Sequence, residues 1–248
     1  MTMATIGDPA GTRAARLMEA QMKTGMIVLA GGIGKRIGRP VPKQFLLLGG
    51  NPLLVHVLEK VRPIPEIESI VITSPVSHLA DTRELIANHT FDGRFTCIEG
   101  GASRQESVYK GLLALENFDS VIIHEAVRPL VSTDDFRALI ESPDENVMYG
   151  IPIPFTVLKG AEYVEGLLER RELVNVQLPQ KFNAAGLRAA HEAATKDGSR
   201  FTEDASLFFQ YGDAPVRILP GSDRNIKITV PADLIVAEAL HADSLGRD

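Results

Sequence analysis

One short stretch of this 248-residue chain gathers four glycines and three cations: Ala30-Gly31-Gly32-Ile33-Gly34-Lys35-Arg36-Ile37-Gly38, then Pro42-Lys43-Gln44-Phe45. Glycines let backbone approach a ligand and turn successive N–H groups toward it, which suits phosphate oxygens. Lys35, Arg36 and Lys43 add positive charge to the same loop. That is more than a simple phosphate ester needs and a better match to a polyphosphate. Two familiar nucleotide loops do not fit. A dinucleotide fold wants G-x-G-x-x-G, whereas the spacing from Gly32 is G-x-G-x-x-x-G. A Walker loop wants G-x-x-x-x-G-K-[ST], and here Lys35 is followed by Arg36. The competing reading is a solvated basic loop, weakened by the loop's place directly behind an apolar strand.

Three further clusters carry compatible chemistry. His124-Glu125-Ala126-Val127-Arg128-Pro129 follows an apolar strand, and in open α/β sheets ligands sit beyond the carboxyl ends of strands. A carboxylate beside an arginine there could hold Mg²⁺ and an anion together; a surface Glu125–Arg128 ion pair is the alternative. In Asp223-Arg224-Asn225-Ile226-Lys227-Ile228-Thr229, alternation aims Lys227 away from Ile226 and Ile228 and toward a cleft. Gly100-Gly101-Ala102-Ser103-Arg104-Gln105-Glu106-Ser107 again places a glycine pair between a strand and a helix. Cys97 lies in an apolar strand and reads as core, and His124 as a structural hydrogen-bonder.

The elements that must position these residues are visible as periodicity. Short apolar runs at 26–30, 69–73, 95–98, 121–123, 147–151 and 216–219 read as strands. Helical spacing appears at 51–61, 78–87, 104–115, 134–140, 184–194, 203–209 and 232–240, with Pro231 suited to a first helical turn. Strand–helix alternation implies an α/β protein with a mostly parallel sheet covered on both faces. The rhythm breaks at 152–176, where two short strands (155–158 and 173–176) joined by a charged turn suggest a projecting hairpin. Residues 1–24 read as a loose tail or one marginal helix ahead of a single domain over 25–248.

Composition bounds the rest. Lys plus Arg total 26 against 32 Asp plus Glu, a formal net charge of -6, which argues against a nucleic-acid coat or a polybasic membrane anchor. One cysteine excludes an intrachain disulfide and a cysteine-based metal cluster. No apolar run approaches the roughly 20 residues needed to cross a bilayer, and no signal peptide is recognisable. The expectation is a soluble cytoplasmic protein with no nucleic-acid or membrane partner.

Taken in order, 30–38 with 42–45, 100–108, 124–129, 179–182, 202–206 and 225–229 resemble the 2-C-methyl-D-erythritol 4-phosphate cytidylyltransferase family. Related ribitol-5-phosphate-type polyol-phosphate cytidylyltransferases are an equally close comparison. The resemblance implies transfer of CMP from CTP to an alcohol phosphate with release of pyrophosphate, assisted by Mg²⁺. It implies a Rossmann-like, three-layer fold of the nucleotide-diphospho-sugar transferase kind, and a homodimer joined through the arm at about 152–176. By match to the family's motifs, Arg36, Lys43 and Lys227 would serve the reacting phosphates. Ala30, Gly31, Gly32, Gly34, Gly101 and Ser107 would hold the nucleotide. Glu125 would stand at the metal-associated position. Arg128 and Thr202 would face the acceptor, and Arg170 or Arg171 would reach the partner's acceptor phosphate.

Three departures from the family pattern leave the acceptor open. Glu125 replaces an aspartate, Phe155-Thr156-Val157 replaces an acceptor-side Thr-Asp-Thr, and Leu178-Pro179-Gln180 loses a hydroxyl. Lost hydrogen-bonding groups can cost large factors in selectivity. A different polyol phosphate or phosphonate acceptor, another NTP, or a catalytically silent nucleotide-binding homologue are the alternatives.

Overall fold

The computed structural model describes residues 22–31, 41–89 and 91–246. Gly32, Gly34 and Arg36 therefore lie outside the described residues, as does most of the 1–24 tail. Its last residues are not loose. Thr24 opens the first strand, and the Lys23 carbonyl accepts from the Asp119 and Ser120 amides.

Among the described residues eleven strands are formed: β1 Thr24–Leu29, β2 Leu47–Leu48, β3 Asn51–Pro52, β4 Ile67–Ser74, β5 Phe95–Glu99, β6 Ser120–Glu125, β7 Val147–Pro152, β8 Leu158–Lys159, β9 Gly166–Leu167, β10 Val174–Asn183 and β11 Arg217–Pro220. Seven α-helices accompany them among the described residues: α1 Leu53–Val61, α2 Leu79–Asn88, α3 Arg104–Ala114, α4 Thr133–Glu141, α5 Ala184–Lys196, α6 Asp204–Tyr211 and α7 Pro231–Leu245. The main sheet has seven strands in the order β11-β7-β10-β6-β1-β4-β5, parallel except for β10, which runs antiparallel to β6 and β7. This is the mostly parallel α/β sheet that the alternating pattern implied.

β1 shows why its apolar run is uninterrupted. Met26 and Val28 join a core beneath α1, α2 and α4, while Ile27 and Leu29 join another beneath α3, α5 and α6. A strand covered on both faces has no solvent side to mark with polar residues. Helices α3, α4 and α5 start where a side chain supplies a cap, whereas α1 and α2 have none. Ser103 accepts from the Glu106 amide ahead of α3, Ser132 and Asp135 form a capping box at α4, and Asn183 caps α5.

The hairpin differs from its expected form. Its strands are β8 and β9, paired antiparallel, and Phe155 lies outside both. The expected second strand at 173–176 instead begins β10 and pairs with β7 in the main sheet. The rest of β10 was not recognised as a strand because Pro179 interrupts the run. The sheet tolerates it at a register shift between Gln177 and Gln180, where no ladder hydrogen bond is required of a proline.

Candidate active site

Because β1, β4, β5 and β6 are parallel, their carboxyl ends meet at one edge. From β1 the chain moves to β4 and β5 on one side and then returns to β6 on the other, so a crevice opens between β1 and β6. A cavity of about 410 Å³ lies there. Its wall is made by Ala30 and Gly31 after β1, Lys43 and Gln44, the turn 100–104 with Ser107, Glu125 to Val127 after β6, and Lys227.

The two distant lysines converge. Lys43 sits in a 3₁₀ turn and is 7% exposed; its Nζ donates to the carbonyls of Thr229 (2.8 Å) and Ile228 (3.4 Å). It thus lies against the segment that carries Lys227. That segment has no regular secondary structure, so side-chain and backbone bonds fix it. Gln177 bonds Ser222 in both directions, and Asn225 Nδ2 donates to the Leu178 carbonyl at 2.6 Å. The Ile228 amide donates to the Val127 carbonyl. Ile228 is buried and Ile226 packs beside it, which turns Lys227 toward the cavity as the alternation implied.

Glu125 is buried and surrounded by cations. Its carboxylate lies 2.7 Å from Lys227 Nζ, 3.3 Å from Arg104 Nε and 3.9 Å from Arg128 Nε. Burial alone would raise its pKa, but Lys227 and Arg104 outweigh burial and hold the carboxyl below its ordinary value. The Glu125–Arg128 contact is therefore buried, and Lys227 is the nearer partner. Among the described residues no group of three or more His, Cys, Asp or Glu could hold a metal ion. Glu125 is the carboxylate in the cavity wall through which Mg²⁺ would be held, since that ion binds nucleotides through one or two carboxylates together with the phosphates.

The remaining motif residues are placed as follows. Gly101 and Ser107 share one turn, with the Gly101 amide donating to Ser107 Oγ and that hydroxyl donating to the Ser103 carbonyl. Arg128 is buried, donates to the Asn225 carbonyl at 2.9 Å and does not line the cavity. Thr202 is exposed on the loop before α6 and does not line the cavity. Arg170 lies on the arm, donating to the Pro154 carbonyl, and is not brought to its own chain's cavity. His124 Nε2 meets the Arg128 carbonyl at 3.1 Å, and burial lowers its pKa to about 4, so it is a neutral hydrogen-bonder. Burial raises Cys97 to about 11, which removes it as a nucleophile.

Arg104 lines the cavity and joins Glu125 to Asp204, a role that the motif match did not give it. The available signal was its place in the first turn of the helix behind the second glycine pair. Its buried partner Asp204 gave none, because aspartate in a first helical turn is unremarkable.

A mostly parallel α/β sheet with helices on both faces, and a cationic cavity across the ends of β1 and β6, defines a nucleotidyltransferase-like architecture. Comparison with known proteins gives the same class. Residues 24–242 match the family model described as IspD: 2-C-methyl-D-erythritol 4-phosphate cytidylyltransferase. The enzyme of that name from Geobacillus thermodenitrificans is 38% identical over 226 residues, covering 89% of this chain and 97% of its own. Its counterpart from Thermobifida fusca is 34% identical over 226 residues, covering 86% and 91%. Among solved structures, the 4-diphosphocytidyl-2C-methyl-D-erythritol synthase of Anaerococcus prevotii superposes with a TM-score of 0.76 at 27% identity, covering 88% of this chain and 97% of that one. The Thermus thermophilus 2-C-methyl-D-erythritol 4-phosphate cytidylyltransferase gives 0.67 at 27% identity, covering 87% and 98%. The chain belongs to the IspD family.

Proposed function

We propose that this chain transfers CMP from CTP to 2-C-methyl-D-erythritol 4-phosphate and releases pyrophosphate, acting as a cytoplasmic homodimer with Mg²⁺. Among the described residues no helix is long and apolar enough to cross a membrane. The observation that carries the reading is the meeting of Lys43 with the Lys227 segment at the cavity. The relatives described above are named for the methylerythritol acceptor, which favours it over another polyol phosphate.

The reaction joins two anions. A phosphate oxygen of the acceptor attacks the α-phosphorus of CTP, and the bond from that phosphorus to the bridging oxygen breaks, so the electron pair leaves on pyrophosphate. The attacking oxygen is already ionised and needs no general base. What the protein must supply is alignment and fixed positive charge, which favour the charge-rich transition state over the separated anions. Lys43 and Lys227 supply that charge at the cavity wall, and Arg36 of the glycine loop is the third cation in this reading. Ala30, Gly31, Gly101 and Ser107 make a small-residue wall for the base. Glu125 would hold Mg²⁺ together with the triphosphate, and the ion supplies further neutralisation when bound. Thr202 and Arg128 serve the acceptor side in this assignment, with Arg170 contributed by the partner.

Pyrophosphate release measured with CTP, UTP and ATP in turn, each with the methylerythritol acceptor, tests the reading. Turnover with CTP well above the other two is expected. No turnover with CTP, or equal rates with all three, overturns it.

A further inference from the structure

Arg104, the first residue of α3, is the centre of a buried chain of charges that runs away from the cavity. Its Nη2 lies 2.6 Å from Asp204 Oδ2 and 3.5 Å from Glu203 Oε1, while its Nε donates to Glu125 Oε1 at 3.3 Å. Asp204 is fully buried, and its other oxygen faces His191 Nε2 at 3.4 Å. The neighbouring Gln105 ties the same region down, accepting from the Phe201 amide and donating to the Ser199 carbonyl. The first turn of α3 therefore clamps the loop before α6 on one side and the end of β6 on the other.

We propose that Arg104 is a positioning residue for the transfer: anchored at Asp204, it aims the Glu125 carboxylate and, through it, the Lys227 ammonium into the cavity. The inference rests on the reading of the cavity given above. A buried charged network is poor evidence of stability, since well-packed apolar side chains of similar volume often do as well. This one has a geometric consequence that apolar residues would not reproduce. Two guanidinium nitrogens are committed to carboxylates on different elements, and a planar fork fixes both directions at once. Without it the Glu125 side chain keeps Lys227 as its nearest partner but loses the contact that sets its orientation. Lysine in place of Arg104 keeps a cation for Asp204 and gives up the fork.

The test is a double-mutant cycle with R104K and E125Q, with D204N as an independent probe because Asp204 does not line the cavity. R104K should lower kcat by about 10-fold or more while the KM for CTP changes by less than about 3-fold. D204N should reproduce that split. If Arg104 acts through Glu125, adding R104K to E125Q should change kcat by no more than about 2-fold. Multiplicative losses, or a raised KM with kcat kept, would overturn the proposal in favour of direct substrate contact. Crystal structures of R104K and D204N read the positioning without any turnover. A Glu125 carboxylate turned out of the cavity with Lys227 following it supports the proposal, and side chains left in their wild-type orientation refute it. Should the wild-type protein not turn over CTP, the functional reading falls, and these structures still decide what Arg104 does.

Discussion

Lys227 and Glu125 stand 102 positions apart in the chain and 2.7 Å apart in space. Local alternation pointed Lys227 toward a cleft, whereas Glu125 at the end of an apolar strand read equally as half of an ion pair with Arg128 and took its role from the ordered set of motifs. Their partner Arg104 was not nominated, since nothing near it in sequence indicates Asp204. His124 offers a prediction at this scale. It is fully buried, and the fold holds its pKa at about 4 against an ordinary 6.5. Between those values the unfolded chain binds a proton that the folded chain refuses, so stability falls as pH drops from 6.5 toward 4. At about 1.4 kcal/mol per pH unit, the His124 contribution is about 3 kcal/mol over that window. Melting temperatures followed across it should decline in the wild type and decline less in His124→Gln, which keeps a donor for the Arg128 carbonyl. Parallel curves for the two proteins would show that the acid sensitivity arises elsewhere.

At the scale of elements, α3 does two jobs with one face. Its first turn builds the cavity wall, and its middle rests on β1. Gly111 makes the second possible: a Cβ there would lie 2.8 Å from the Ile27 side chain. Gly111→Ala should therefore cost about 1–3 kcal/mol by overpacking a well-filled contact. The first turn is kept by its own cap and by Asp204, so the KM for CTP should stay within about 2-fold of wild type. Chemical denaturation and steady-state kinetics check the two halves. A variant as stable as wild type, or one with a strongly raised KM, contradicts this division of labour. The regular elements were legible because strands buried on both faces give unbroken apolar runs and amphipathic helices repeat every three to four residues. β10 was not, since Pro179 and the polar Gln180-Lys181 pair lie in it; both polar residues are buried, and Lys181 Nζ finds the Ser142 carbonyl. No local pattern shows that a polar residue will find such a partner.

At the scale of the molecule, the arm is the part that a single copy does not explain. A two-residue by two-residue ladder is too small to hold itself together in water. Yet Phe155, Tyr163, Val164 and Leu167 are 76%, 82%, 70% and 72% exposed on it. Apolar exposure concentrated on a projecting segment marks a contact surface, and a second copy of the chain is the occupant the family resemblance implies. Two-fold symmetry would then carry each arm to the other subunit and place Arg170 in trans, which accords with its not lining its own chain's cavity. Mixing two inactive proteins tests this directly. Arg170→Ala spoils the site that its own arm reaches, and Lys227→Ala spoils the site on its own body. Each homodimer then has two broken sites. In a mixed dimer the two lesions fall on one site, leaving the other complete. Random exchange of subunits makes half of the dimers mixed, so about a quarter of wild-type activity should return on mixing. Sedimentation of each variant must still give a dimer, and Arg171→Ala in place of Arg170→Ala tells which arginine is used. If mixing restores nothing while both variants dimerise, the arm serves its own chain and the trans arrangement is refuted.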